Sequence, residues 1–245
     1  MKISVQAYTL REYAGSNMTE VIEKLKSFGY DGVELAGYGN LSSAALKEVL
    51  DAQKLTVSSM HVGYDLLTDG FDTLVKDAEL FGVKTLILPG YDLAGFDEDR
   101  IEETASSFNA IMDKLEAHGI KLGFHNHDGE FTNGRFDRLM SHCPRLLVEL
   151  DTYWVTFAGA DPLAVMEQYK DRLVYIHIKD MVKGEKPDHG TPNPNILEGC
   201  IDIKAIMDKA AALGVEWAVV EMDQPTGEAY AAVDISRQNL RTIGY

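Results

Sequence analysis

A chain of 245 residues is long for an ordinary domain but of normal size for one α/β barrel, and 45% hydrophobic with 25% charged residues is the balance of a soluble globular protein. The formal net charge of −16 repels a phosphate backbone, which argues against nucleic acid as a partner and favours small neutral or metal-chelated substrates. No apolar run approaches a membrane span, and Met1 to Tyr8 alternates like a strand without the apolar core of a signal peptide, so a cytoplasmic protein with no membrane partner is expected.

In chain order, Ile3 to Tyr8 reads as a first strand, and Asn17-Met-Thr-Glu20 opens a helix whose Val21, Ile22, Leu25 and Phe28 follow the helical period up to Gly29. Asp31 to Leu35 is a short strand, and Ser42 or Ser43 caps a helix running to about Gln53. Leu55 to His61 is a third strand, Phe71 to Phe81 a helix closed by Gly82, and Lys84 to Pro89 a fourth strand. A long helix from about Glu98 to His118 delivers the chain to Lys121-Leu-Gly-Phe-His-Asn-His-Asp-Gly-Glu-Phe131, the fifth strand. A short helix from Phe136 to His142 stops before Pro144, and Leu146 to Asp151 is the sixth strand. Proline at the first helical position, Pro162, starts another helix, and Leu173 to Lys179 is the seventh strand. The irregular stretch from Met181 to Gly199, with Pro187, Pro192 and Pro194, is long enough to suggest a lid or substrate loop. Ile201 to Leu213 is helical, Glu216 to Glu221 is the eighth strand, and Glu228 to about Arg241 is a closing helix.

Strict alternation of strand and helix implies parallel strands joined by right-handed crossovers, and eight such units close a TIM (β/α)8 barrel. With no linker or composition shift, a single α/β domain spanning 1–245 is expected. The competitor is an open doubly wound sheet, but Ala7-Tyr-Thr-Leu-Arg11 stands where its phosphate-binding glycines would follow the first strand. Cys143 and Cys200 lack CxxC spacing and are expected to be free thiols.

In a barrel, function collects at the C-terminal strand ends. Those ends carry Gln6 and Tyr8, Glu34, His61, Tyr91, His125 and His127, Glu149 and Asp151, His177 and Lys179, and Glu221 and Asp223. Strands five to eight each hold a pair at i and i+2, which places both members on one inward side. Taken singly, Glu34 could be a salt-bridged strand end, His61 a core histidine, Glu149 a rim charge, and the two fifth-strand histidines part of a solvated loop. Together, so many carboxylates and imidazoles at one mouth require mutual hydrogen bonds, a cation, or both. Mixed nitrogen and oxygen ligands suit manganese, zinc, cobalt or magnesium, imidazole favouring the transition metals.

With these motifs the chain resembles the sugar phosphate isomerase/epimerase superfamily of xylose-isomerase-like TIM barrels, which includes ketose 3-epimerases, inosose dehydratases and isomerases, and hydroxypyruvate isomerase. The resemblance covers essentially the whole chain. It rests on Tyr30-Asp-Gly-Val-Glu-Leu35, His125-Asn-His-Asp-Gly-Glu-Phe131, Val148-Glu-Leu-Asp-Thr-Tyr-Trp154, His177-Ile-Lys-Asp180 and Val220-Glu-Met-Asp223. It implies a divalent metal held by Asp151, His177 and Glu221. The family's first ligand is a glutamate at the fifth strand, where this chain has His125, so either His125 or Glu149 completes the set. Trp154 stands where several epimerases have a substrate-touching histidine, and the usual Gly-Glu-Gly appears only as Leu197-Glu-Gly-Cys200.

What the resemblance implies is enolisation next to a carbonyl of a small sugar or polyol, with His127 and Glu130 in proton transfer or orientation and Lys179 at the developing oxyanion. Glu221 serves as both ligand and catalytic group, and Glu34, His61, Glu149 and Trp154 are expected substrate contacts. Epimerases of this superfamily use two metal-bound glutamates. An imidazole in place of one suits one-sided chemistry, so a sugar isomerase/epimerase is the broad expectation and a keto-sugar or inosose dehydratase-type lyase its rival. An endonuclease IV-like nuclease and a non-catalytic sugar-binding barrel are the remaining alternatives. The resemblance also leaves a homo-oligomer open.

Overall fold

Short runs rich in Val, Ile and Leu pair side by side as parallel strands: β1 (Lys2–Gln6), β2 (Gly32–Leu35), β3 (Thr56–His61), β4 (Thr85–Pro89), β5 (Lys121–His125), β6 (Leu147–Asp151), β7 (Leu173–Ile178) and β8 (Trp217–Val220). They close in sequence order into a barrel, β1 pairing with both β2 and β8. The structure, a computed structural model, describes residues 1–91, 98–184 and 187–245, the side chains of 98 and 99 apart.

Helices cover the outside: α1 (Arg11–Phe28), α2 (Ser43–Gln53), α3 (Tyr64–Thr68), α4 (Phe71–Phe81), α5 (Glu98–Glu116), α6 (Arg135–His142), α7 (Thr152–Phe157), α8 (Pro162–Gln168), α9 (Ile203–Ala212) and α10 (Ala229–Thr242). Among the described residues none is long and apolar enough to cross a membrane. Alternate strand residues such as Leu86, Leu88, Ile176, Ile178, Ala218 and Val220 pack outward against them in the main core. Both faces of each strand are therefore buried, which is why the strands read as nearly unbroken apolar runs.

The barrel interior begins with a separate cluster of Ile87, Tyr175 and Trp217. Two glycines make room for it. A Cβ on Gly32 would lie 2.9 Å from the Trp217 ring, and one on Gly123 would lie 2.6 Å from Ile87. The glycine of the second-strand motif is thus a packing requirement of the barrel floor.

Local differences from the sequence expectation have local causes. The first strand stops at Gln6, whose side chain accepts from the Tyr8 amide and turns Ala7–Leu10 into a 3₁₀ turn. α1 starts at Arg11 and breaks at Asn17 (φ −153°, ψ 73°), where the Asn17 side chain accepts from the Glu20 amide and caps the second segment. α3 and α7 went unread. Thr152-Tyr-Trp-Val-Thr-Phe157 has strand-like composition, yet Asp151 Oδ1 accepts from the Trp154 amide at 2.9 Å and starts a helix there.

The stretch from Met181 to Gly199 is free of helix and strand apart from one bridge, Asn193 to Pro225; residues 185–186 of it lie outside the described residues. Both its ends are fastened to the buried Asp180, whose carboxylate accepts from the amides of Met181 at 2.8 Å, Gly199 at 2.8 Å and Ile201 at 3.1 Å.

Candidate metal centre

Period two along the strands stacks the inward residues in tiers. On β7, Tyr175 belongs to the floor, His177 stands above it, and Lys179 follows just past the strand end. On β6, Glu149 pairs with Tyr175 and Asp151 with His177, and on β8 Glu221 continues the line begun by Trp217. His125 ends β5, paired with Glu149.

In the upper tier, His125 Nε2 lies 3.1 Å from His177 Nδ1 and 3.3 Å from Asp151 Oδ2. Glu221 Oε2 lies 2.9 Å from His177 Nδ1 and 3.9 Å from His125 Nε2. These four side chains are buried, and each offers a ligand atom within 4.8 Å of the others. Lys179 Nζ stands beside the same oxygens, 2.9 Å from Asp151 Oδ2 and 2.7 Å from Glu221 Oε2, and 2.8 Å from Asp223 Oδ2.

The donor set fits a divalent cation. Two imidazole nitrogens and two carboxylate oxygens converge where water is excluded, and such electron-rich atoms repel unless a proton or cation lies among them. Asp151 Oδ2 accepts no well-directed hydrogen bond and has ion-pair contacts to Lys179 and His125, while His125 Nδ1 is buried without a partner among the described residues. His125 and Asp151 converge with His177 and Glu221, whereas Glu149 gathers with Glu34 and His61 on the other nitrogen of His177.

Charge follows from these neighbours. Burial, with the nearby His177 and His61 imidazoles, keeps His125 well below the usual histidine range, so its ring is neutral and free to donate a lone pair. Burial opposes the Lys179 ammonium, but Asp151, Glu221 and Asp223 outweigh it and hold the lysine well above its ordinary value. Burial likewise opposes the Glu221 carboxylate, and Lys179 and His177 overcome it, leaving Glu221 well below the carboxylate range.

The tier below gathers Glu34, His61 and Glu149 around His177 Nε2, with Glu34 and Glu149 fully buried. Above the centre stand His127, its ring 5.2 Å from that of His125, and Trp154, 5.7 Å from His127. Lys179 Nζ lies 5.3 Å from the Trp154 ring, whose indole N–H is buried without a hydrogen-bond partner among the described residues. Glu130 sits behind His127 and accepts from its amide at 2.8 Å; burial raises its carboxyl above the ordinary range. Tyr91 instead meets the Tyr64 ring at a tilt and the Phe108 ring edge-on.

A model of the xylose isomerase-like TIM barrel matches residues 22–243. The chain belongs to that family. Among its relatives, inosose dehydratase of Lacticaseibacillus casei is 25% identical, covering 86% of this chain and 83% of that protein. A sugar phosphate isomerase/epimerase from Parabacteroides distasonis superposes with a TM-score of 0.80 at 22% identity, covering 98% of each chain. The IolI protein, solved with a bound zinc atom, superposes with a TM-score of 0.80 at 16% identity, covering 99% of this chain and 98% of that one.

Three side chains of this family member were absent from the strand-end candidates. Ser59, two residues before His61 and so on the same side of β3, donates its hydroxyl to Glu34. Asn126 ties β5 to β6, its Oδ1 accepting from the Asp151 amide at 3.0 Å and its Nδ2 donating to the Asp151 carbonyl at 3.2 Å. His189, from the long loop, lies on the Trp154 and Phe157 rings at 5.6 and 4.8 Å, its Nε2 3.2 Å from Asp128. The i+2 spacing from His61 is the signal that would have marked Ser59; nothing in the sequence places His189 over Trp154.

Proposed function

We propose that the protein is a divalent-cation-dependent enzyme that removes a proton next to the carbonyl of a small sugar or polyol, with loss of water as the outcome. The observation that carries this is the convergence of His125, Asp151, His177 and Glu221 on one point with the Lys179 ammonium against two of the same oxygens. When bound, manganese, zinc, cobalt or magnesium supplies Lewis-acid polarisation of the carbonyl.

The chain's own groups divide the remaining work. Asp151 and Glu221 neutralise and orient, the Glu221 charge being stabilised by Lys179 and His177. Lys179 keeps its proton and donates to the developing oxyanion. His127, half-buried beside the centre, takes the proton from carbon, and Glu130 behind it is the store from which a proton reaches the departing hydroxyl. One proton is taken from carbon and one is given to the hydroxyl, so the balance is one water lost. Trp154 closes the side of the site with an indole N–H that a substrate hydroxyl can satisfy.

Dehydration is supported by a relative named inosose dehydratase along most of the chain and by the imidazole in place of a second glutamate. Isomerisation or epimerisation is the second reading, supported by the same enolisation chemistry. Proton-to-deuteron exchange in heavy water with manganese, across ketoses, inososes and 3-keto-sugars, separates them. Exchange with growth of an unsaturated carbonyl absorbance supports water loss, and exchange without it supports isomerisation or epimerisation. An absence of exchange on every compound would sink enolisation.

A further inference from the structure

Two imidazoles and two carboxylates close a square in the tier beneath the centre. His177 Nε2 lies 2.7 Å from Glu34 Oε2 and 3.2 Å from Glu149 Oε2. His61 Nε2 lies 2.7 Å from Glu149 Oε2 and 3.1 Å from Glu34 Oε2. The two rings are parallel within 5° at 5.2 Å. Each nitrogen faces two carboxylate oxygens, and a lone pair there would meet an acceptor on either side; both Nε2 atoms therefore carry hydrogen. The shorter contacts assign the donors, His177 to Glu34 and His61 to Glu149.

Glu34 is itself fixed from behind. Gln6 Nε2 donates to Oε2 at 2.7 Å, and the Ser59 hydroxyl donates to Oε1. The square has the spacing of a second cation site, but Glu34 Oε2 already receives Gln6 and His177, and a cation there would need His177 to give up both of its nitrogens. Hydrogen-bonded protons account for the square without one.

We infer that Glu34 and Glu149, with His61, are positioning residues that hold His177 protonated on Nε2, so that its Nδ1 lone pair is presented to the point shared by His125, Asp151 and Glu221. They act through His177 rather than on substrate, each carboxylate facing His177 Nε2 on the side away from the shared point. A carboxylate behind a ligating histidine fixes its tautomer and raises its basicity. Only the effect on cation affinity rests on the proposed function; the protonation of His177 stands apart from it.

Two measurements test this. In protein labelled with ¹⁵N-histidine, two-bond proton–nitrogen correlations, assigned with His177→Gln, are expected to show Nε2 of His177 protonated both with zinc and without it. A neutral ring protonated on Nδ1 would overturn the inference. In Glu34→Gln, checked for folding by circular dichroism, zinc affinity by chelator competition is expected to fall about 10- to 100-fold, with partial recovery in Glu34→Asp. Unchanged affinity in a folded variant, with only KM raised, would make Glu34 a substrate contact and overturn the inference. Wild-type protein that binds no cation would refute the proposed function while the correlation spectrum still decides the state of His177.

Discussion

Lys179 and Asp151 show how single side chains carry opposite duties at one point. Lys179 spends its charge on the two oxygens that a cation would also use, so the two compete electrostatically while cooperating at an oxyanion. Lys179→Met is expected to bind manganese at least as tightly as wild type and to lose about 10²- to 10³-fold in the exchange rate. Equal exchange rates would remove Lys179 from the chemistry. His61 offers a pH test with a definite sign. Burial lowers its pKa, but Glu34 and Glu149 outweigh burial and lift it to about 9 from 6.5. A raised histidine stabilises fully below the unfolded value and loses that contribution as pH rises through the folded one. Thermal midpoints in chelator should therefore fall between about pH 6.5 and 9, and the fall should be shallower in His61→Gln; identical slopes would contradict the assignment. The thiols divide in the same physical way. Cys143 is buried and pushed up to about 11, whereas Cys200 is exposed, so a disulfide reagent should label Cys200 quickly and Cys143 only on unfolding.

At the level of elements, the sequence carried the strands well because an inward residue on every second position is visible without knowing the partner strand. His177 and Lys179 are an example: the spacing alone put them on one side of the seventh strand and its end. Height across the barrel was not visible, because stagger between strands is a property of pairing. That is why Glu34, His61 and Glu149 read as equivalent to Asp151, although their side chains gather on the Nε2 side of His177 while Asp151 lies with His125 and Lys179. Short helices were hidden for another reason. α7 depends on one cap from Asp151, and its composition of Thr, Tyr, Trp, Val and Phe favours a strand when read alone. Caps also give a stability prediction. Asn17→Ala removes the side chain that restarts α1 and should cost about 1 kcal/mol in urea unfolding, while Asn17→Asp should cost little.

For the whole molecule, the excess of acid is concentrated inside the barrel as well as spread over the surface. Asp151, Glu221, Asp223, Glu34 and Glu149 crowd one end of the barrel interior, offset by the Lys179 ammonium and by the proton that His61 holds. A divalent cation bound only by the folded barrel should stabilise it by about 2.7 kcal/mol at a hundredfold excess over its Kd. The most direct test of the centre is a calorimetric titration of the metal-free protein with zinc or manganese, repeated on His125→Ala and on Asp151→Asn. One cation per chain, with binding weakened severely in both variants, is the result these positions require. Wild type that takes up no cation, or variants that bind it as wild type does, would contradict a metal centre built from His125, Asp151, His177 and Glu221.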